Sequence, residues 1–430
     1  MRLRPTPIAI TLATLGLVAC GAPSDAGESA GAGLDGPDRM LAWERQPVYT
    51  VGGAEAEGWS AFGDIEDVAF DAAGNLYVLD RQASTVQVVA PDGTLLRSVG
   101  SPGQGPGELG QTMGMTVLAD GTVAVFDISK FGMVVYGPDG KYVRDVRVDP
   151  QTVGLLTPPF VPLPDHSFAA QIGGRINTSA TSAGVEAEPG RPVVRVGLDA
   201  DVADPATVLT GWEPPEPESD GKTTTLGTSG GSVMLQMQRL RGFTPALLMA
   251  ALRDGRLLAV DSTTYRIGVY APDGTFQHAL SRPIEPVPVN PTIEEQERDR
   301  RVKELEDSPD RGTLRIVALG GGGGGTMQAP DMSEMMKQRI EGMVFYPEIQ
   351  VIEQIAADWN DRIWVQRASG EPGKPGPTDI ITPDQKYLGT LAPDGLRIPD
   401  AFGPDGLAVW IERDEYDAQR LVVARVVPAG

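Results

Sequence analysis

The segment NLYVLDRQASTVQVVAPDGTLLRSVG, residues 75–100, contains an apolar run that ends at an aspartate, a second apolar run and a Pro-Asp-Gly turn. The same order of features recurs in TVAVFDISKFGMVVYGPDGKYVRDVRV (122–148) and in RLLAVDSTTYRIGVYAPDGTFQHALSR (256–282). The chain therefore repeats one structural unit at least three times.

The spacing of the repeat indicates its architecture. The aspartate recurs after 47 residues, at Asp80 and Asp127, and after a further 134 at Asp261, and the Pro-Asp-Gly turn follows at the same intervals. Strands that recur every 40–50 residues or so between turn signals are typical of propeller blades. Runs such as LYVL and VAVF are apolar throughout, which predicts strands covered on both faces, as blades packed around a ring require.

Three further blades are predicted from less regular segments. They are FVPLPDHSFAAQ with PVVRVGLD, IQVIEQIAADWNDRIWVQRA with TDIITPDQKYLGTLAP, and DAFGPDGLAVWIERDE with RLVVARVV. The last has no outer strand of its own, whereas QPVYTVGG (46–53) resembles an outer strand without a blade. Residues 44–430 are therefore predicted to form an all-β, six-bladed propeller of four-stranded antiparallel blades, closed by the N-terminal strand.

Several of these motifs resemble a known repeat. FGDIEDVAFDAAGNLYVLD, VQVVAPDG and GSPGQGPGEL are similar to NHL-type repeats of bacterial six-bladed propeller lipoproteins, in which a Gly-Gln-Gly-Pro-Gly-Glu loop links blades. The resemblance covers roughly residues 44–430, and it implies the fold without implying a reaction. The arginine common in the NHL pattern is present as Arg266 but is replaced by Thr85 and Gly132.

The N-terminus has the features of a secretory signal. Arg2 and Arg4 precede a short apolar stretch, and residues 17–20, LVAC, resemble the bacterial lipobox. The resemblance implies cleavage after residue 19 and attachment of a diacylglycerol to Cys20, which would anchor the mature chain in a lipid bilayer. The alternative is an ordinary signal peptide with an incidental cysteine. Cys20 is the only cysteine, so no disulfide is predicted.

Composition excludes some partners. Residues 21–39 are small, polar and acidic, and residues 20–43 are predicted to form a flexible tether. The whole chain has a formal net charge of −22, which disfavours binding to nucleic acid. The resemblance to bacterial lipoproteins implies a location in the bacterial cell envelope, and we predict the outer membrane, on its periplasmic or surface side. Sorting between membranes stays open at this point, because Gly21 is not the aspartate that commonly marks inner-membrane retention in enterobacterial members of that family.

The repeated aspartates and the two histidines are weak catalytic candidates. Asp80, Asp127 and Asp261 could bind a cation, but aspartates at strand ends more often accept backbone N–H bonds, and we favour that interpretation. His166 and His278 are too few for a propeller zinc lyase, since catalytic zinc generally takes three protein ligands. His278 is predicted to lie in an outer strand, and His166 in a turn.

Two other motifs suggest enzyme chemistry. Residues 227–231, GTSGG, match the G-x-S-x-G pattern around Ser229, but no α/β pattern surrounds them, so we interpret them as a loop. Asp64, Glu66, Asp67 and Asn75 could form a divalent-metal site of the gluconolactonase type, with calcium as the possible ion. Their spacing does not distinguish that site from an acidic loop.

Residues 291–343 interrupt the blade pattern and predict a helical insertion between blades four and five. PTIEEQERDRRVKELED has a capping box, Thr292 with Glu295, and three i,i+4 ion pairs typical of an exposed helix. These pairs are Glu294–Arg298, Glu297–Arg301 and Asp299–Lys303.

A second helix is predicted after the glycine run at 320–325, capped by Asp331. One face carries Met332, Met335, Met336, Ile340 and Met343. This face could simply pack on the propeller, or it could belong to a mobile lid or a partner-binding helix, since methionine surfaces adapt to varied ligands.

No set of catalytic residues emerges from the sequence, and no cofactor is predicted. The sequence favours a binding or scaffold module for a protein, peptide or glycan. The alternative is a metal-dependent propeller enzyme of the lactonase or lyase type, and a third possibility is a component of an envelope assembly.

Overall fold

The computed structural model describes residues 34–429 except 174, 180–181, 187–189, 215–222, 229–230, 237–238 and 308–331. The predicted signal peptide, Cys20, Ser229, the glycine run and Asp331 lie outside the described residues. Six four-stranded antiparallel sheets surround a central axis, which confirms the predicted six-bladed propeller.

The strands of the first three blades follow in chain order after the first strand, which belongs to the last blade. They are β1 (Trp43–Gly52); in blade 1, β2 (Ile65–Phe70), β3 (Leu76–Asp80), β4 (Thr85–Val89) and β5 (Leu95–Val99); in blade 2, β6 (Thr112–Val117), β7 (Val123–Asp127), β8 (Gly132–Tyr136) and β9 (Tyr142–Arg147); and in blade 3, β10 (Leu156–Leu163) and β11 (Ser167–Ile172), then a hairpin of β12 (Arg175–Ser179) and β13 (Ser182–Glu186), then β14 (Arg191–Gly197) and β15 (Ala206–Gly211).

The second half of the chain inserts more structure between its blades. Its elements are a hairpin of β16 (Thr223–Thr228) and β17 (Gly231–Gln236); β18 (Arg241–Gly242); blade 4 with β19 (Leu248–Ala251), β20 (Leu257–Val260), β21 (Arg266–Tyr270) and β22 (Phe276–Ser281); the insertion with β23 (Val287–Pro288), α1 (Pro291–Asp307), α2 (Met332–Glu341), β24 (Val344–Phe345) and β25 (Glu348–Ile349); blade 5 with β26 (Ile352–Ala357), β27 (Ile363–Ala368), β28 (Pro375–Ile381) and β29 (Tyr387–Leu391); and blade 6 with β30 (Ala401–Phe402), β31 (Leu407–Arg413) and β32 (Gln419–Pro428).

The ring closes as predicted. β1 is the outermost strand of blade 6 and pairs antiparallel with β32 over nine residue pairs, from Trp43–Pro428 to Gly52–Arg420. The N-terminal strand thus completes the last sheet, and the ring has no open gap between its first and last blades.

The core is distributed among the blade interfaces. Each of the six interfaces between neighbouring blades contains one cluster of buried apolar side chains. Every residue of β3, β7 and β8 is buried, which explains why these strands show no polar alternation. The Pro-Asp-Gly turns have their glycines at positive φ, 85° at Gly93 and 78° at Gly140, which an L-residue would adopt only with strain.

The two ends of the propeller differ. Because the strands alternate in direction, connections between first and second strands and between third and fourth strands lie at one end, here called the turn face. Second-to-third and blade-to-blade connections lie at the other end, here called the loop face. The three longest connections, 173–190, 212–247 and 282–351, all lie on the loop face, whereas the turn face carries only short turns.

The tether prediction is wrong for residues 34–42. Leu34 is fully buried between blades 4 and 5, and Leu41 packs against the cluster between blades 5 and 6. Arg39 and Leu41 exchange backbone hydrogen bonds with Thr390 at the edge of β29. Residues 34–42, here called the clasp, therefore cross the outer edge of blade 5, because apolar grooves on its two sides bind the side chains of Leu34 and Leu41.

The helix predictions need two corrections. The N-cap of α1 is Asn290, whose Oδ1 accepts the N–H groups of Thr292 and Ile293, because Pro291 takes the first helical position. The helix is also not wholly exposed, since Ile293 and Glu297 are buried. Within the part of the chain that the structure describes, no helix is long and apolar enough to cross a bilayer.

Candidate functional site

The loop-face end of the central axis carries a pair of carboxylates. Glu66 and Asp67 lie at the start of β2, the innermost strand of blade 1, where a bulge between Ile65 and Asp67 leaves both side chains half-buried. Glu66 accepts a hydrogen bond from the Thr112 hydroxyl at 2.8 Å, and Asp67 accepts one from the Met115 N–H at 2.9 Å. The pair therefore bridges the innermost strands of blades 1 and 2.

Both carboxyl groups hold protons more tightly than they would in water. Burial raises the pKa of Asp67 to about 7. The hydrogen bonds that its carboxylate accepts from two backbone N–H groups lower the pKa, but by less than burial raises it. Burial also raises the pKa of Glu66, partly offset by its bond from Thr112. Carboxyl groups with shifted pKa values are concentrated at functional sites.

The four residues of the predicted metal site do not converge. Asp64 forms an ion pair with Arg81, with Arg81 Nε 2.8 Å from the Asp64 carboxylate. Asn75 lies in the turn after β2, on the turn face, and donates its amide to Asp71 at 2.7 Å. Only Glu66 and Asp67 are adjacent, and the described residues contain no group of three or more His, Cys, Asp or Glu side chains placed to hold a metal ion.

The repeated aspartates have a structural role at the loop face. The Asp80 carboxylate accepts the N–H groups of Gly63, Asp64, Gln82 and Ala83 at 2.9–3.2 Å. Asp127 makes the equivalent bonds in blade 2, to Gly110 and Gln111 among others. Each aspartate thus ties the connection that enters its blade to the connection between its second and third strands, as the favoured interpretation of the sequence expected. Asp261 accepts one such bond, from Trp212.

Neither histidine lies at this end of the axis. His166 occupies a turn on the turn face with φ 55°, and its Nε2 is 3.5 Å from Asp120. His278 lies in β22, the outermost strand of blade 4, as predicted, with Nε2 3.1 Å from the Pro383 carbonyl.

A second feature of the loop face is a cavity of about 380 Å³ next to blade 5, here called the rim cavity. Two long connections build it together, because β18 pairs in parallel with β24 of the insertion. The Gln350 side chain accepts the Ala246 N–H at 2.7 Å and donates to the Ala246 carbonyl. The lining residues are Arg241, Phe243, Thr244, Glu297, Arg300, Arg301, Ile349, Glu353 and residues 370–373.

One wall of the rim cavity is a compensated charge cluster on α1. The buried Glu297 carboxylate accepts two bonds from Arg300, at 2.7 and 2.8 Å, and one from Arg301 Nε at 2.7 Å. Burial alone would raise the pKa of Glu297, but these two guanidinium groups outweigh it and hold the pKa below its ordinary value. The cluster is therefore ionised, and because Arg300 also donates to Glu304 at 2.5 Å, its two guanidinium groups are matched by two carboxylates.

Glu353 is the carboxylate without such compensation. It lies at the bulge of β26, the innermost strand of blade 5, at the position that Glu66 occupies in blade 1. Its side chain reaches water, yet the surrounding protein raises its pKa by desolvation, with no other cause. No cation within the described residues pairs with it.

Phe243 forms an aromatic wall with a strained backbone. Its φ is 58°, a left-handed conformation that a bulky side chain rarely adopts. Its ring packs 5.7 Å from that of Phe345, and the Arg298 guanidinium lies 4.7 Å from the Phe345 ring centre. Strain of this kind concentrates at functional sites.

The predicted methionine face is partly packed against the protein. Ile340 and Met343 are buried, and the Met343 side chain lies close to Gly242 in β18. Met336 is half-buried, with its sulfur 3.7 Å from Arg339. The side chains of Met332 and Met335 lie outside the described residues. In this arrangement Ile340 and Met343 are not available to a partner.

No protein family and no curated protein matches the sequence. Among solved structures, the chain is similar to a protein named as exported from Bacteroides fragilis, at 10% identity and a TM-score of 0.48, over 91% of this chain and 96% of that one. It is also similar to a DUF4221 family member from Bacteroides vulgatus, at 9% identity, a TM-score of 0.46 and coverage of 91% and 100%. A streptogramin B lyase follows at 11% identity, a TM-score of 0.38 and coverage of 87% and 97%.

Sequence reasoning missed Glu353, Glu297 and Phe243 as site residues. A signal existed for Glu353, because Ile352-Glu353 repeats Ile65-Glu66 at the start of an innermost strand. No pattern marked Phe243, whose position depends on the short pairing of β18 with β24.

Proposed function

We propose that the chain is an extracytoplasmic propeller, anchored in the membrane through Cys20, that binds a protein, peptide or glycan through its loop face. One observation carries this proposal: every long connection and the rim cavity lie on the loop face, whereas the turn face carries only short turns. Loops held on a rigid scaffold are where binding residues are generally found.

The anchor belongs to the same proposal. Acylation of Cys20 after cleavage at residue 19 would place the propeller in the bacterial cell envelope, at the outer membrane. Cys20→Ala should move the protein from the membrane to the soluble fraction, and mass spectrometry of the wild-type N-terminal peptide should find diacylglycerol. Absence of diacylglycerol from the wild-type N-terminal peptide would contradict the anchor.

Site-specific photo-crosslinking in the native envelope tests the binding face. Tyr416, 71% exposed in a loop-face connection of blade 6, is the probe position, and Lys141, exposed in a turn-face connection of blade 2, is its matched control. We expect discrete crosslinked products from position 416 and none from position 141. Products from both positions, or only from position 141, would contradict a loop-face binding module.

A second candidate function is a metal-dependent lactonase or lyase, with calcium as the possible ion. It is favoured by the raised pKa values of Glu66, Asp67 and Glu353 at the innermost strands of the loop face. A stoichiometric divalent ion in the purified protein, with loss of thermal stability on chelation, would support the enzyme. A protein free of metal and insensitive to chelator would favour the binding module.

A further inference from the structure

The rim cavity has the dimensions of a ligand site. Its volume of about 380 Å³ lies within the range of small-molecule pockets and is large enough for one or two side chains of a peptide. Its walls come from a blade connection, the insertion, the first strand of blade 5 and the second-to-third connection of blade 5, so four separate segments form it.

The charges around the cavity leave one carboxylate uncompensated. Arg300 and Arg301 both pair with Glu297, Arg300 pairs in addition with Glu304, and Glu371 pairs with Lys374. Arg241 is also engaged in interactions with other residues, so it is not free. Glu353 alone among the described lining residues faces the cavity with a charge that no neighbour offsets.

Other parts of the cavity lining are apolar or made of main chain. Phe243 contributes an aromatic ring, and Gly370 and Gly373 contribute main chain without side chains. An aliphatic stem could lie on such a wall while its charged end reaches a carboxylate, and an aromatic ring adds attraction for a cation.

We propose that the rim cavity binds the side chain of a lysine or arginine in a peptide segment of a partner protein, with Glu353 as the counter-ion of its ammonium or guanidinium group. This inference rests on the proposed loop-face binding function and specifies its ligand. A chain with a net charge of −22 also attracts cationic segments over long range. Pairing with a cation would restore the ionised form of Glu353, so binding releases a proton wherever the free protein holds one at that site.

Isothermal titration of the full mature protein in detergent tests the proposal. The probes are three capped tripeptides: tri-lysine, tri-(acetyl-lysine) and tri-glutamate. We expect binding of tri-lysine only. Glu353→Gln should weaken it at least tenfold, whereas Glu415→Gln, at an exposed loop-face position outside the cavity, should leave it unchanged.

A second readout separates a specific counter-ion from general attraction. Titrations near pH 5 in buffers of different ionisation enthalpy should show proton release on binding to the wild type and to Glu415→Gln. Glu353→Gln should show markedly less release. A merely structural effect of the substitution would lower affinity without changing the proton count of the residual binding.

Three outcomes would overturn the inference: equal binding of tri-lysine by Glu353→Gln, equal binding of tri-(acetyl-lysine), or no binding of tri-lysine. Crosslinking from position 416 that is unaffected by Glu353→Gln would leave the loop-face function intact while removing this ligand. Specific tri-lysine binding without crosslinking from position 416 would support the ligand and contradict the proposed binding partner.

Discussion

At the scale of single residues, Arg282 joins three parts of the chain. Its buried guanidinium donates to the Asp379 carboxylate at 2.7 Å, to the carbonyls of Leu34 and Gly36, and to Asp38. Each of the three guanidinium nitrogens of Arg282 donates at least one hydrogen bond, and two of the acceptors are carboxylates that balance its charge. The arrangement holds the clasp against blades 4 and 5.

Arg282→Met should destabilise the protein strongly. The substitution keeps most of the apolar stem but leaves Asp379, whose side chain is completely buried, with Arg367 Nε at 3.6 Å as its nearest remaining cation. Breaking a buried ion pair on one side typically costs about 3–5 kcal/mol, and we expect a loss near the lower end of that range in urea unfolding.

Lys386→Met, which breaks an exposed pair with Asp384, is the matched control and should leave the unfolding midpoint unchanged. Equal stability of Arg282→Met and the control would show that the network does not hold the clasp.

Asp67 predicts a specific pH dependence. Its folded-state pKa of about 7 lies above the ordinary aspartate value of 3.8, because burial disfavours the ionised form. The folded state therefore binds the proton more tightly than the unfolded state, and stability falls as the pH rises from about 4 through 7. A tenfold difference in proton affinity between the two states corresponds to about 1.4 kcal/mol, so the loss is on the order of a few kcal/mol.

Asp67→Asn removes this titration while keeping an oxygen for the Met115 N–H. The variant should gain stability relative to the wild type at pH 8, with the difference shrinking towards pH 4, in urea unfolding at both pH values. If the stability difference between Asp67→Asn and the wild type were constant with pH, or larger at pH 4, the pKa of Asp67 would not be raised.

At the scale of elements, the clasp protects the edge of a sheet. β29 is the outermost strand of blade 5, and its Thr390 backbone groups would be unpaired without Arg39 and Leu41. Exposed strand edges promote pairing between chains, so the clasp should reduce aggregation as well as stabilise the fold.

Leu34→Ala tests the anchoring of the clasp. Leu34 is fully buried, and truncation of a buried leucine costs about 2–5 kcal/mol. Leu96→Ala, at a position 48% exposed in β5, is the control and should cost little. Thermal unfolding and light scattering should show a lower melting temperature and earlier aggregation for Leu34→Ala only. Identical behaviour of the two variants would mean that the clasp is dispensable.

The sequence predicted those elements whose signals are local and repeated. Blades 1, 2 and 4 follow from the recurrence of Asp80, Asp127 and Asp261 with their turns, and ring closure follows from an outer strand that lacked a blade. The clasp was misjudged because Leu34 is an isolated leucine among small polar residues, and the partner that fixes it, Arg282, is 248 residues away.

The candidate site was less predictable because it too depends on contacts between residues that are far apart in the sequence. The acidic pair at Glu66 and Asp67 was visible in the sequence, but the rim cavity depends on β18 and β24, each only two residues long and about a hundred residues apart. Segments this short carry no periodicity, so their pairing is decided by tertiary packing. The N-cap of α1 was predicted wrongly for a different reason. The local signal Asn290-Pro291 competed with the capping box at Thr292, and the capping box was preferred.

At the scale of the whole molecule, the ring is held closed by non-covalent contacts of the first strand. β1 forms nine residue pairs with β32, its Tyr49 and Val51 pack in the cluster between blades 6 and 1, and the clasp before it contacts blades 4 and 5. The segment from the clasp to β1 therefore contacts four of the six blades, although it lies at one end of the chain.

This arrangement predicts that the N-terminal segment stays bound after the chain is cut behind it. A protease recognition sequence inserted at 54–57, an exposed part of the connection from β1 to β2, allows the cut to be made in the folded protein. We expect the two fragments to co-elute in gel filtration under native conditions and to separate in urea. The cut protein should also have a lower melting temperature than the uncut protein, because ring closure then requires association of two separate fragments. The same insertion combined with Arg282→Met should release the short fragment more readily, since only the β1–β32 pairing then retains it. Spontaneous dissociation of the fragment from the otherwise unaltered protein, with the remainder still folded, would show that the ring does not depend on its N-terminal strand.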